Sequence, residues 1–298
     1  MILPATGCGR SRDLPYVRLS GESTAPALAA EPLTSTPLSI AIGGMVTPEE
    51  GLGYYRQLCD YIARRVGRPA RIVDKRTYAQ VNKLIESRDV DVAFVCSGPY
   101  VDGHRAFAME LLAAPVVNGK AAYSGYIIVP RGSAARSLRD LRGRTFAFTD
   151  PDSNTGRLVP TYQLARMGET PAGFFGRLIY THAHNLSIEA VAERHVDGAA
   201  VDGLVWDYAR STGASKSSET RIIWRSEPFG IPPVVVHPYI DDNLKAKLRT
   251  VLLDAHRDAE ARPILEHMKV DRFTTIDDSA YDSIRRMQAW IRSQGGRP

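Results

Sequence analysis

Between a strand-like run, Thr145–Thr149, and a helical pattern from about Arg157 to Met167 lies Asp150-Pro151-Asp152-Ser153-Asn154-Thr155-Gly156. Asp-Pro turns the chain, and two hydroxyls and an amide then stand where a helix starts. A helix N-terminus carries free N–H groups and a partial positive charge. Hydroxyls at the same place add donors that rotate to suit a tetrahedral anion. The chemistry on offer is oxyanion binding. The competing reading is plain N-capping, in which one Ser or Thr serves the helix's own N–H groups.

Cys96 is the second candidate. It follows the apolar run Val90–Val95, at the expected carboxyl edge of a sheet, where open α/β folds hold their ligands. It reads either as a small buried residue or as a soft sulfur ligand for a thiophilic solute. Cys59 falls on the apolar face of a helical pattern and reads as core. His182 and His184 are two apart and would face the same way on a strand. No third ligand has a metal-binding spacing, so no metal site is expected. Cys96 with His184 as base would be the enzymatic reading. No Gly-x-Ser-x-Gly elbow or nucleotide-binding glycine loop accompanies the pair, and neither catalysis nor a cofactor is expected. Asp197 and Asp202 flank a buried strand and read as structural.

These residues need elements to hold them. Leu38–Ile42 alternates like a strand, and Pro48–Gly67 keeps a helical period with proline and acids in its first turn. Ala70–Val73, Tyr78–Ser87 and Val90–Val95 continue a β-α-β-α-β order. The pattern restarts at Tyr126–Val129, and helices follow at Asp242–Ala261, Pro263–Met268 and Ser279–Ser293. The expectation is an α/β protein of two lobes, residues 37–125 with 230–298, and 126–229. Each lobe would be a mixed, mostly parallel sheet flanked by helices, with the ligand in the cleft between them.

Composition narrows the classes. The chain has 298 residues, 44% hydrophobic and 24% charged, which excludes a wholly disordered chain, a collagen-like repeat and a coiled coil. The net charge of +5 comes from scattered Lys and Arg, without the basic block of a nucleic-acid binder. No run approaches the ~18 apolar residues that span a membrane. Three cysteines give no disulfide framework. Residues 1–36 are rich in Ser, Thr, Pro, Ala and Gly and read as a disordered remnant of an export signal or anchor. Ala5-Thr6-Gly7-Cys8 resembles the motif before a lipidated cysteine, and Ala27-Leu28-Ala29 a cleavage site. The apolar stretch ahead of them, Met1-Ile2-Leu3, is too short for a complete signal.

The runs Ser124–Val129, Ser137–Phe148 and Asp150–Pro160 together resemble the phosphonate-binding, PhnD-like substrate-binding proteins of ABC transporters. The resemblance extends from about Leu38 to Ile291. It implies the type II periplasmic-binding fold, a location in the periplasm or on the outer face of the cell membrane, and an ABC permease or a membrane sensor kinase as partner; a monomer is expected. It places Ser153, Asn154 and Thr155 on the family's Ser-Thr-Ser anion cradle. It places His184 on a histidine that bonds the anion, as donor or imidazolium, and Tyr78 and Tyr123 on two cleft tyrosines whose hydroxyls reach the ligand. The carboxylates that hold an alkyl amine in the family would fall near Leu204 and Pro232, and neither is acidic. A buried ammonium without a counter-charge costs several kcal/mol, which argues against an aminoalkyl phosphonate, although Asp202 lies nearby in sequence. The expected ligand is phosphate, phosphite or a phosphonate. Cys96 resembles the pocket cysteine of the family's arsenite-sensing AioX branch, whose members report to a membrane histidine kinase. An arsenite-binding sensory protein is therefore the alternative.

Overall fold

The structure, a computed structural model, describes residues 36–43, 49–75, 77–213 and 216–295. The readings made for the first 35 residues, Cys8 and Ala27–Ala29 included, lie outside the described residues. The elements in chain order are β1 (Leu38–Ile42), α1 (Glu49–Arg65), β2 (Ala70–Asp74), α2 (Tyr78–Glu86), β3 (Val92–Phe94), α3 (Ser97–Phe107), β4 (Glu110–Val116), β5 (Ala122–Tyr123) and β6 (Gly125–Pro130). Next come β7 (Thr145–Phe148), α4 (Val159–Ala165), α5 (Pro171–Phe174), β8 (Arg177–Tyr180), α6 (His184–Ala192), β9 (Gly198–Asp202) and α7 (Gly203–Thr212). The chain ends with β10 (Thr220–Arg225), β11 (Phe229–Gly230), β12 (Val234–Val236), α8 (Asp242–Asp254), α9 (Ala261–Met268), β13 (Arg272–Thr274) and α10 (Asp282–Ser293).

Two sheets organise these elements. The first has the order β13-β4-β12-β3-β1-β2 and the second β10-β6-β9-β7-β8. Most strands in each sheet share one direction; β12 and β13 are reversed in the first and β6 in the second. β6 and β12 are the strands by which the chain enters each sheet from the other, which accounts for their direction. Between the sheets, β5 and β11 pair antiparallel, Tyr123 opposite Phe229. The chain thus crosses twice, out through β5 and back through β11.

The cores follow from strand alternation, since successive side chains point to opposite faces. Leu38, Ile40, Val92 and Val234 pack with Leu58, Ile62, Leu248 and Leu252 on one face of the first sheet. Ala41, Ala93 and Val235 meet Val81, Ile85, Val101 and Ile284 on the other. In the second sheet Ile127, Phe146 and Phe148 pack with Leu164 and Phe174. Ile128 and Ala147 pack with Ile188, Val191 and Val205 on its reverse. With both faces covered, β3 and β7 end at fixed heights, and the loops after them are held rigidly.

Two local departures matter for the site. The helix expected from Arg157 starts earlier, with a π turn over Asn154–Leu158 in which Leu158 N–H donates to Ser153 O at 2.9 Å. Only glycine fits at position 156, because a Cβ there would stand 2.6 Å from Thr149 Cβ and Oγ1. The expectation that His182 and His184 share a strand face is also corrected. β8 has ended before them, His182 is exposed in the left-handed region at φ 61°, and His184 is buried at the start of α6.

Candidate functional site

The second lobe supplies the turn after β7. Ser153, Asn154 and Thr155 are all buried there. Ser153 Oγ accepts the Gly156 N–H at 3.0 Å, so this hydroxyl caps the turn and keeps its own proton free to donate. Asn154 Nδ2 donates to the Tyr123 hydroxyl at 3.0 Å. Among the described residues, Thr155 Oγ1, Asn154 Oδ1 and Asp202 Oδ2 are buried polar atoms without a hydrogen-bond partner. A half-turn of the Asn154 amide would let the Tyr123 hydroxyl donate to Oδ1 and free Nδ2 as a donor. Buried polar groups are nearly always paired. Thr155, Asn154 and Asp202 are exceptions to that rule.

His184 lies beside this turn with its protonation fixed by its neighbours. Nδ1 accepts the Asp202 backbone N–H at 3.0 Å, and Thr149 Oγ1 stands 3.1 Å from the same atom. The neutral ring therefore carries its proton on Nε2, which faces the Tyr78 hydroxyl at 3.4 Å. Burial pushes the imidazole pKa down to about 3. Of the two states expected from the sequence, donor or imidazolium, the environment supports the neutral donor.

The first lobe closes the ring. Tyr78 opens α2, and its N–H donates to Asp150 Oδ2 of the second lobe at 3.4 Å. Cys96 precedes α3 and is fully buried, its Sγ 4.0 Å from the Tyr123 hydroxyl. Burial pushes its thiol up to about 11, against the opposing pull of the Asn154 and Gly98 N–H groups, so it stays protonated at neutral pH. Gly98 lets the start of α3 approach the second-lobe turn: a Cβ there would meet Asp152 O at 2.7 Å and Asn154 N at 3.2 Å. Tyr123 stands on the crossing strand β5. Burial raises the hydroxyls of Tyr78 and Tyr123 well above the usual tyrosine range, so both remain donors.

Contacts therefore link the sequence-derived candidates in one cleft: Tyr78 with His184, Asn154 with Tyr123, and Tyr123 with Cys96, beside Ser153 and Thr155. Among the described residues, no group of three His, Cys, Asp or Glu side chains could hold a metal ion. Sequence reasoning missed Thr149 and Asp150, whose roles depend on contacts distant along the chain. It assigned Asp202 a structural role, which is half of what this residue does. Asp202 Oδ1 caps α7, accepting the Leu204 N–H at 2.7 Å, while its backbone N–H holds His184. Burial pushes its carboxyl up to about 7, and Oδ2 is left over. Strand-Asp202-Gly203-helix is an N-cap signal that could have drawn attention to it.

The cleft gathers neutral hydrogen-bond donors, the hydroxyls of Tyr78, Tyr123 and Thr155 and the Nε2–H of His184. The phosphonates-binding periplasmic protein of Escherichia coli strain K12 is 24% identical over 223 residues, 73% of this chain and 66% of that protein. The phosphate-import protein PhnD of Mycolicibacterium smegmatis is 25% identical over 210 residues, 66% of this chain and 65% of that protein. The chain thus spans just under two thirds of the length of these curated relatives. The crystal structure of a binding-protein component of a Pseudomonas aeruginosa ABC phosphonate transporter matches with a TM-score of 0.80 at 22% identity, covering 87% of each chain. The fold is the two-lobed, type II periplasmic-binding fold. A family model for the periplasmic substrate-binding proteins of phosphonate ABC transporters matches residues 44–281, and the chain belongs to that family.

Proposed function

We propose that this chain is an extracytoplasmic solute-binding protein that captures a small oxyanion of the phosphate, phosphite or phosphonate class and delivers it to an ABC permease. The lobes, 37–125 with 230–298 and 126–229, close on the anion by bending at the β5–β11 pair. The second lobe offers the turn at Asn154 with the Ser153 and Thr155 hydroxyls, together with His184 Nε2–H. The first lobe and the crossing strand add the Tyr78 and Tyr123 hydroxyls. A single observation carries the reading: Thr155 Oγ1 is a buried hydroxyl without a partner at the start of a helical turn. An anion supplies the acceptor that this donor lacks. The donors are neutral, so the lobes must surround the anion to replace its hydration, which suits binding coupled to closure.

A thermal-shift panel of phosphate, phosphite, methylphosphonate, sulfate, arsenate and arsenite tests the reading. A ligand bound only by the native state adds about 2.7 kcal/mol of stability at a hundred times its Kd. Phosphorus oxyanions should raise the melting temperature. Stabilisation by arsenite alone would overturn the assignment.

A further inference from the structure

Thr149, the residue after β7, ties the turn at Asn154 to the histidine. Its N–H donates to Gly156 O at 3.2 Å, and its C=O accepts the His182 N–H at 2.7 Å. The backbone is therefore held on both sides, and the residue is fully buried. Its hydroxyl lies among three acceptors. Oγ1 stands 3.1 Å from His184 Nδ1, 3.2 Å from Ala200 O and 3.4 Å from Ser187 Oγ. What this hydroxyl does depends on where its one proton goes.

The neighbouring groups decide it. Thr181 Oγ1 donates to Ala183 O at 3.0 Å, so across its 2.6 Å contact with Ser187 the serine hydroxyl is the donor. The Ser187 proton is thereby committed, and Ser187 cannot donate to Thr149. At His184, Nδ1 is bare, because it accepts the Asp202 N–H at 3.0 Å. A proton on Nδ1 would leave that buried N–H without an acceptor, which is costly. A bare nitrogen that meets a hydroxyl lone pair at 3.1 Å is repelled, whereas one that meets the O–H is bonded. Nδ1 is also the nearest of the three acceptors, so the Thr149 proton points to it.

We infer that Thr149 is a positioning residue of the oxyanion site: its hydroxyl is a second donor to His184 Nδ1, and through the ring it strengthens Nε2–H as a donor to the bound anion. The inference rests on the oxyanion reading of the cleft and deepens it. The hydrogen bonds made by one ring nitrogen set what the other can do. Two donors at Nδ1 draw electron density out of the ring, which makes Nε2–H more acidic and its bond to an anion stronger. Linked hydrogen bonds polarise one another in this way. The two donors also fix the ring plane, with Nε2 directed towards the Tyr78 hydroxyl.

The test combines nitrogen-15 NMR of the His184 ring with calorimetry against phosphate and methylphosphonate, on the purified full-length chain. In the wild type the ring should carry its proton on Nε2, and Nδ1 should resonate as a hydrogen-bonded nitrogen. Thr149→Val keeps the shape and removes the O–H. It should move the Nδ1 resonance towards that of an unbonded nitrogen and weaken anion binding about fivefold. Thr149→Ser should restore both. In a His184→Gln background, Thr149→Val should cost little further affinity, because the ring through which it acts is gone. An equal loss in both backgrounds would show that Thr149 acts through the Gly156 turn, and would overturn the inference while leaving the oxyanion reading intact. So would a proton on Nδ1 in the wild type, which is read without any variant. Binding of neither anion by the wild type would overturn the oxyanion reading and the inference with it.

Discussion

Thr155 and Ser153 look alike in the sequence, and the structure separates them. Ser153 Oγ already accepts the Gly156 N–H, whereas Thr155 Oγ1 has no partner. Thr155→Val should therefore keep the melting temperature of the free protein near wild type and cost about 1–3 kcal/mol of oxyanion affinity by calorimetry. Ser153→Ala should lose affinity and also about 1 kcal/mol of stability, because a cap is removed. The distinction was not legible in sequence, where both residues belong to one run and only their partners differ. His184 gives a pH prediction. Its pKa lies near 3 in the folded protein, below the usual value of about 6.5, so it stays neutral from pH 5.5 to 8. The ratio of wild-type to His184→Gln affinity should be flat over that range, and a step near pH 6.5 would show that a charged ring binds the anion. Cys96 is a protonated thiol beside Tyr123. Cys96→Ser should keep oxyanion affinity within about threefold, or about 0.7 kcal/mol.

At the scale of elements, the π turn at Asn154–Leu158 is the part of the scaffold most sensitive to change. A methyl group at position 156 would lie 2.6 Å from the Thr149 side chain and 2.9 Å from Ser153 Oγ. Thr149 in turn stands against His184. Gly156→Ala should therefore destabilise the fold by about 1–3 kcal/mol, as overpacking does, and weaken binding through both the turn and the ring; chemical denaturation and calorimetry read the two losses. Elements with a clean period, such as β1, α2 and β7, were legible because their large apolar residues recur at the strand or helix spacing. α3 and β4 were not. α3 carries Gly98, Pro99 and Gly103, which weaken any helical signal, and Pro115 interrupts the strand pattern of β4. Both exist because neighbours hold them: β4 pairs with β12 and β13, and α3 needs glycine to reach the second-lobe turn. The strand reading of His182 and His184 failed for a related reason. A positive φ at His182 is a backbone choice that residue spacing does not encode.

At the scale of the molecule, the restart of the β-α pattern at Tyr126 made the two lobes readable, but the contacts between them join residues far apart in sequence. Asp150 reaches Tyr78, Tyr78 reaches His184, and the buried Asp202 lines a space bounded by both lobes. Opening that space would couple closure to protons. With the lobes together the Asp202 carboxyl titrates near 7; opened to water it should approach the ordinary aspartate value of about 3.9. The closed form thus holds the proton more tightly. Its advantage from this group is complete below about pH 4, falls as pH rises towards about 7, and is gone above that. The closure constant of the ligand-free protein should weaken across the window by at most about a thousandfold, a ceiling because opening hydrates the carboxyl only in part. Asp202→Asn keeps an oxygen to cap α7 and removes the titration. Small-angle scattering at pH 5 and pH 8 should show the ligand-free wild type expanding with pH and the variant staying compact. Equal expansion of both would move the cause to Asp102 and Asp152, whose carboxyls burial also raises. No expansion of the wild type would mean that Asp202 stays covered when the lobes part.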